Sequence, residues 1–327
     1  MKLVIQIPCY NEELYLAETI DAIPHSFPGI DQVEILVIDD GSTDQTSRVA
    51  REHPRRPTVS RLEPHQGLAA AFARGLETAC SMGADIIVNT DADNQYCAKD
   101  IEKLITPVLD RQADMVIGCR PIEEISYFSP AKKALQRLGS RVVRFITNTQ
   151  VLDATSGFRA YTRETAKKIF LHTKFTYTLE TLVFAGKKNL RVVSVPIRVN
   201  PVQLRESRLF STTFEYLKQS LATLLRLYLF YEPLKSFTYA AAFIATIGFA
   251  MLLLAFLSQT LHSAKLFMSS LFFLFLGGSI FSLGILGDIN SSQKQLLEEA
   301  LVRIKNLEDE IKRPPANPPS TNSKKSS

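Results

Sequence analysis

The chain has 327 residues, of which 46% are apolar and 22% charged, with a formal net charge of +5. Both fractions are ordinary for a folded protein. The small positive excess suits an anionic substrate or an anionic membrane surface, and no Lys/Arg-rich run with interleaved aromatics points to nucleic acid as a partner. The four cysteines (Cys9, Cys80, Cys97, Cys119) form no C-x-x-C pair and have no histidine cluster beside them, which speaks against a thiolate metal site and reads as buried thiols of a reducing compartment.

The first elements alternate. KLVIQIP (2–8) is a β-rich run ended by proline, and NEELYLAETIDAI (11–23) has helical spacing with Asn11 as its N-cap. VEILVIDDGS (33–42) is a second strand running into an acidic turn, and STDQTSRVARE (42–52) is a helix capped by Ser42 or Thr43. GLAAAFARGLETACSMG (67–83) is an alanine-rich helix, ADIIVNTDAD (84–93) a strand ending in acids, DIEKLITPVLD (100–110) a helix, and ADMVIGCR (113–120) a strand. Strands alternating with helices predict an α/β fold, a mostly parallel sheet with helices on both faces. Ligands of such sheets bind beyond the carboxyl ends of the strands. Cys9–Asn11, Asp39–Ser42, Asp91–Gln95 and Cys119–Arg120 all fall there, so four polar clusters far apart in sequence converge on one edge.

The later part of the chain is different. STTFEYLKQSLATLLRLYLFYEPLK (211–235) has apolar residues at helical spacing with interfacial tyrosines, and reads as an amphipathic helix lying on a membrane surface. Residues 236–287 are nearly free of charge and hold two runs, about 237–258 and 266–287, each long enough to cross a bilayer. Lys218, Arg226, Lys235, Lys294, Arg303 and Lys305 gather before the first run and after the second, which places both termini and the first domain in the cytosol, at the inner membrane. The N-terminus has no apolar core or cleavage site of a signal peptide. QKQLLEEALVRIKNLEDEIK, within a tail helix over 288–312, carries Leu297, Ala300, Ile304, Leu307 and Ile311 at near-heptad spacing. It reads either as a short coiled coil joining subunits into a homo-oligomer or as an amphipathic helix packed on the first domain. Residues 313–327 are Pro/Ser-rich and expected to be disordered.

In DADNQY, two carboxylates at i and i+2 with an amide at i+4 (Asp91, Asp93, Gln95) suit Mg²⁺ or Mn²⁺, hard cations that take few protein ligands and fill the rest from substrate phosphates. Together IPCYNEE, VIDDGSTDQT, HQGLAAAFARG, DADNQY and DATSGFRAY resemble the family 2 nucleotide-sugar glycosyltransferases of GT-A fold. GCR, DATSGFRAY and the C-terminal hairpin resemble the polyprenyl-phosphate branch of that family, the dolichol-phosphate mannose synthase type, over about residues 1–290. The resemblance implies a catalytic domain over 1–210 that moves one sugar from a UDP- or GDP-sugar to polyprenyl phosphate, inverting the anomeric carbon. It implies that Pro8, Tyr10, Asn11, Glu12, Asp39, Asp40 and Asp91 hold the nucleotide and that Asp91, Asp93 and Gln95 hold the metal. Asp93 and Arg120 would be catalytic.

A polyprenyl phosphate is already ionised and needs cations to place it rather than a general base. Arg120, Lys132, Lys133, Arg137 and Arg159 are the cations expected to do so, and Lys132 and Lys133 fit equally a basic helix resting on anionic lipid. By resemblance Asp153 and Ser156 lie beside the acceptor, and Arg205, Ser207 and Arg208 form a basic loop over the diphosphate. Glu206 and Arg208 stand where the family often has Gly and Lys. A processive polysaccharide synthase would carry a Gln-x-x-Arg-Trp motif and more spans, and this chain has no Trp. A non-catalytic membrane scaffold would not need Asp91, Asp93 and Arg120 intact.

Overall fold

A computed structural model describes residues 1–122, 130–147, 149–171, 177–200, 222, 225–226, 228–229, 232–257 and 263–312. Its centre is a seven-stranded sheet: β1 (Lys2–Cys9), β2 (Gln32–Asp39), β3 (Thr58–Arg61), β4 (Ile86–Asn89), β5 (Met115–Cys119), β6 (Arg159–Thr162) and β7 (Val192–Pro196), in the order β3-β2-β1-β4-β6-β5-β7. β1 pairs in parallel with β2 and β4, and β5 with β7, but β6 runs antiparallel between β4 and β5. That one reversal sends the amino end of β6, and the DATSGF segment before it, to the edge where the parallel strands end.

The helices are α1 (Leu16–Ala22), α2 (Thr46–Glu52), α3 (Leu68–Ser81), α4 (Ile101–Leu109), α5 (Pro130–Thr147), α6 (Arg163–Lys168), α7 (Tyr177–Lys187), α8 (Pro233–Leu257) and α9 (Ser263–Lys312). Strand side chains alternate between the two faces of the sheet. Leu3, Ile5 and Ile7 join Leu16 and Ile20 of α1 and Leu104 and Ile105 of α4 in one core. Val4, Leu36 and Ile38 join Phe72 and Leu76 of α3 and Leu182 and Phe184 of α7 in the other. Each such side chain contributes ~2 kcal/mol by leaving water. The fully buried polar side chain of β1 is Gln6, whose Nε2 donates to Asn89 Oδ1 of β4 at 2.9 Å inside the sheet.

Local capping differs from the sequence reading. α1 and α2 start later, at Leu16 and Thr46, behind Tyr15 and Gln45, neither of which caps with its side chain. Asn11 sits instead at a positive φ of 55°, its Oδ1 accepting from Thr43 N at 2.8 Å, while Ser42 Oγ accepts from Asn11 N at 2.9 Å. The three expected caps therefore tie the first loop to the second. All four cysteines are free, with Cys9 and Cys80 buried and Cys97 and Cys119 only partly so.

α8 and α9 are long and apolar enough to cross a membrane. They pack where side chains are small: a Cβ on Gly277 would meet Ala241 O at 3.2 Å, and one on Gly284 would meet Phe237 Cβ at 2.8 Å. Large apolar side chains such as Phe256 and Phe275 point outward. α9 runs without a break for 50 residues, so the second apolar run and the charged tail are one helix. The tail touches the first domain. Lys167 Nζ donates to Asn306 Oδ1 at 3.0 Å, Lys188 pairs with Glu299 at 3.9 Å, and Lys305 lies 5.0 Å from the ring centre of Phe170. Most of the expected amphipathic helix 211–235 and all of 313–327 lie outside the described residues.

Candidate active site

The loop after β4 carries the acids. Its shape is fixed from three sides. Thr19 Oγ1 of α1 donates to Ala92 O at 2.8 Å. Asn200 Nδ2 donates to Asn94 O at 2.9 Å and Tyr96 O at 3.2 Å, and Asn94 takes a positive φ of 52° that asparagine tolerates well. Asp93 Oδ1 accepts from the Gln95 backbone N–H at 3.1 Å.

Asp91 faces the incoming β6 segment. Tyr96 bonds its carboxylate with the side-chain hydroxyl, whose oxygen also accepts from Gly157 N at 3.1 Å. Asn89 Nδ2 donates to Gly157 O at 2.8 Å and to Tyr177 Oη at 2.9 Å, locking the same turn from the other side. Burial pushes the Asp91 carboxyl up to about 7, the charge of Asp93 adds to this, and Arg120 and Tyr96 offset only part of it. The site thus holds more negative charge than its surroundings neutralise. Among the described residues no group of three or more His, Cys, Asp or Glu forms a metal cage. Two carboxylates short of positive charge fit a hard divalent cation that completes its shell from a diphosphate and water.

Arg120 follows β5. Its Nε donates to Asp153 Oδ2 at 2.7 Å and its Nη2 to Asp153 Oδ1 at 3.0 Å and Thr155 Oγ1 at 2.7 Å. Burial opposes both charges, yet the pair wins: Arg120 holds the Asp153 carboxyl below the usual carboxylate range, and Asp153 raises the guanidinium. Asp153 therefore acts on the site through Arg120, with both oxygens already engaged.

Two expected contacts need correction. Arg159 is fully buried: Nε donates to Ser156 O at 2.7 Å, Nη1 to Thr178 O at 2.9 Å and Thr181 Oγ1 at 2.7 Å, and Nη2 to Ala154 O at 2.9 Å. It staples the 154–156 turn to α7, because a desolvated guanidinium must spend its donors on the carbonyls around it. Ser156 is buried too, its Oγ accepting from Phe158 N at 3.3 Å, so neither side chain faces an acceptor.

Asp39 and Asp40 are likewise buried and occupied rather than open to a base or ribose. Asp39 accepts from Ser42 N at 2.8 Å, Ser47 Oγ at 2.6 Å and Arg61 Nη1 at 3.0 Å. Asp40 accepts from Gln66 N at 2.9 Å and Gly67 N at 2.8 Å. His65 Nδ1 lies 2.9 Å from Asp40 Oδ2 and 3.0 Å from Asp40 O, so it faces two acceptor oxygens. The ring then stacks on Tyr10, centroids 4.0 Å apart, and Tyr10 is 39% exposed. Pro8 is buried in β1, while Asn11 and Glu12 are half-buried, and Glu12 adds to the negative field at Asp91.

On α5, Ser140 Oγ accepts from Ala154 N at 3.3 Å, which ties that helix to the turn beside Arg120. Arg137 and Lys133 stand on the same helix, about one and two turns before Ser140. The side chain of Lys132 and all of Arg205, Ser207 and Arg208 lie outside the described residues. The sequence reading missed His65, Asn89, Tyr177 and Asn200. It quoted Tyr96 without a role, although a tyrosine three residues after Asp93 was a visible signal.

Residues 4–170 match the family model described as glycosyl transferase family 2. The chain belongs to that family. This glycosyltransferase is 31% identical over 214 residues to an uncharacterized protein of Methanocaldococcus jannaschii, covering 63% of this chain and 85% of that protein. It is 30% identical over 216 residues to the polyprenol monophosphomannose synthase of Mycolicibacterium smegmatis, covering 63% of this chain and 80% of the relative. Among solved structures it resembles glucosyl-3-phosphoglycerate synthase from Mycobacterium tuberculosis in complex with Mn²⁺, UDP and phosphoglyceric acid. The TM-score is 0.54 at 20% identity, covering 69% of this chain and 78% of that one. That likeness shows the GT-A-like fold, the mixed but mostly parallel sheet expected of the family 2 glycosyltransferase.

Proposed function

We propose that this family 2 glycosyltransferase moves one sugar from a UDP- or GDP-linked donor to a polyprenyl phosphate at the cytosolic face of a membrane, with Mg²⁺ or Mn²⁺ bound. The observation that carries the reading is the pairing of two features in one chain. An under-neutralised Asp91–Asp93 pair sits beside the buried Arg120–Asp153 pair, and two helices in the same chain are long and apolar enough to hold it at a lipid surface. The mycobacterial relative named for polyprenol monophosphomannose synthesis supports the acceptor class, and the fold neighbour with Mn²⁺ and UDP supports the metal and nucleotide.

In this reading Asp91, Asp93 and Gln95 hold the cation, whose charge, when bound, stabilises the departing nucleoside diphosphate. The exposed face of Tyr10, backed by His65, is the platform for the base, with Asn11 and Glu12 beside the ribose. Arg120, with Lys133 and Arg137 of α5, positions the lipid phosphate. A phosphate oxygen attacks the anomeric carbon, the bond from that carbon to the diphosphate breaks, and the electrons leave with the nucleotide. The attacking phosphate is already anionic, so no general base is required. One displacement inverts the anomeric centre.

The test supplies purified protein in detergent with undecaprenyl phosphate, Mn²⁺ or Mg²⁺, and radiolabelled UDP- and GDP-sugars one at a time. A single mild-acid-labile labelled lipid is expected, lost on chelation and in Asp93→Ala. Undiminished transfer by Asp93→Ala at limiting metal would remove the metal assignment. Binding of nucleotide with no lipid product from any donor would remove the acceptor assignment.

A further inference from the structure

The charged tail of α9 is two-sided. With Leu297 set as heptad position a, the chain's own partners lie on positions b and c and, nearer the apolar run, on e, where Gly287 meets Pro233 of α8 and Lys294 faces Glu180 of α7. Gly277 and Gly284, both b, face α8. Glu299 (c), Lys305 (b) and Asn306 (c) meet Lys188, Phe170 and Lys167 of the catalytic domain. The opposite side is apolar and exposed: Leu297 at 62%, Ile304 at 51% and Ile311 at 83% on a, and Leu286 at 63% and Leu307 at 57% on d. Leu296 on g and Leu301 on e widen the stripe. The helix rests its polar side on its own domain and turns its leucines outward, where among the described residues nothing apolar covers them.

We propose that the cover is a second copy of this chain, docked as a parallel two-stranded coiled coil along residues 286–311 of α9. Four observations select this occupant. First, β-branched Ile304 and Ile311 at a with Leu307 at d is the combination that favours two parallel strands. Second, the flanking charges complement a copy of themselves: Arg303 at g meets Glu308 at e of the partner helix five residues on, twice by symmetry, and Leu296 at g meets Leu301 at e in the heptad before. Third, exposed Asn290 falls at a, where a paired asparagine fixes register and favours dimers. Fourth, α9 is continuous with its apolar part, so the tail leaves that part axially and its stripe does not lie back along a lipid surface.

The parallel orientation rests on the membrane-seated reading above, since copies inserted the same way emerge side by side. The seam itself does not depend on the sugar chemistry. Under four heptads is a short seam for free peptides, but confinement to one membrane raises the effective concentration of the second strand. The catalytic domains, held on the b and c sides and at Lys294 on e, leave the a and d positions of the seam exposed.

The experiment uses the full chain in nanodiscs or mild detergent. Molar mass by light scattering is expected at two chains. Under oxidation Leu307→Cys should link to itself several-fold more than the unsubstituted chain, and Val302→Cys, on the domain side, should not. Arg303→Glu or Glu308→Arg should each reduce the Leu307→Cys link several-fold, and the double exchange should restore it. None of these positions lies in the proposed catalytic machinery, and retained nucleotide binding checks that each variant folds. A single-chain mass with no Leu307→Cys link above background overturns the proposal. So does equal linking at Val302→Cys, or a link indifferent to the charge exchanges. Failure here would leave sugar transfer untouched, so the two readings fall separately.

Discussion

Gly157 touches Asp91: a Cβ added to the glycine would lie 2.8 Å from Asp91 Oδ1 and 2.7 Å from Tyr177 Oη. Real Cβ contacts do not come this close, and both neighbours are held in place, the carboxylate by Tyr96 and the hydroxyl by Asn89. Gly157→Ala should therefore displace the acid rather than merely crowd it. We expect at least a hundredfold loss of sugar transfer, on the scale of a mispositioned catalytic group, with the fold retained by circular dichroism. Transfer within a few-fold of wild type would show that Asp91 needs no such fixed seat.

The raised Asp91 carboxyl has a definite pH signature. Its folded value near 7 lies above its ordinary 3.8, so between these values the native chain holds a proton that the unfolded chain has lost. Stability of the metal-free protein should be greatest below the lower value, fall as pH rises through that window, and level off above it. At about 1.4 kcal/mol per unit the ceiling is roughly 4 kcal/mol. Asp91→Asn should flatten this slope in urea titrations, and saturating Mn²⁺ should cancel it at neutral pH by binding only the ionised form. A wild-type slope in Asp91→Asn would assign the effect to another group.

Arg120 and Asp153 form a buried pair whose loss should be costly. Asp153→Asn leaves a desolvated guanidinium without its counter-charge, for which about 3–5 kcal/mol is typical. Arg120→Lys keeps the charge but loses the two-pronged geometry, and should show a smaller loss of stability with a marked rise in the KM for lipid phosphate. Denaturant midpoints check the first effect and steady-state kinetics the second. Equal rises in the KM of donor and acceptor would move Arg120 to the donor side.

The Tyr10–His65 stack predicts a base-binding effect without a chemical one. Tyr10→Ala should raise the KM for the nucleotide sugar roughly tenfold, in the range of one stacked base at 1–3 kcal/mol, and leave kcat nearly unchanged. His65→Ala should do the same more weakly, since it acts by supporting Tyr10. A fall in kcat with unchanged KM would place the aromatic pair nearer the reacting sugar.

Much of the fold was legible because long apolar runs ending in polar turns leave few alternatives: β1, β2, β4 and β5 and helices α3 and α4 appear close to their expected positions. β6 was not legible. It has four residues, RAYT, of mixed polarity, and nothing local sets its direction. The acid pair stood out by its company rather than by itself, since a three-residue D-x-D recurs by chance but here follows a strand with IPCYNEE and VIDDGSTDQT upstream. What the sequence hid was the partner of each charge. Arg159 looks like a phosphate cation until its donors are found on buried carbonyls, and Asp40 looks like a ligand-binding acid until the 66–67 amides occupy it. Such pairings join residues far apart in sequence, so composition and periodicity do not contain them. His65 escaped for the same reason: its role comes from Asp40, 25 residues away, and from Tyr10 across the loop.

The unbroken course of α9 makes it a gauge rod. Fifty residues at ~1.5 Å each give roughly 75 Å, of which about 30 Å is used by a bilayer core. In the proposed membrane-seated arrangement the contacts at Glu299 and Asn306 clamp the catalytic domain at a set height and azimuth above the lipid. Each residue added between the apolar part and Glu299 would lift that clamp by ~1.5 Å and swing it by ~100°. Lengthening the rod by seven residues would nearly restore the azimuth while raising the reaction centre by about 10 Å. The reach of the active site toward a lipid-borne phosphate is thus encoded in residue count, in a stretch of helix that touches no substrate.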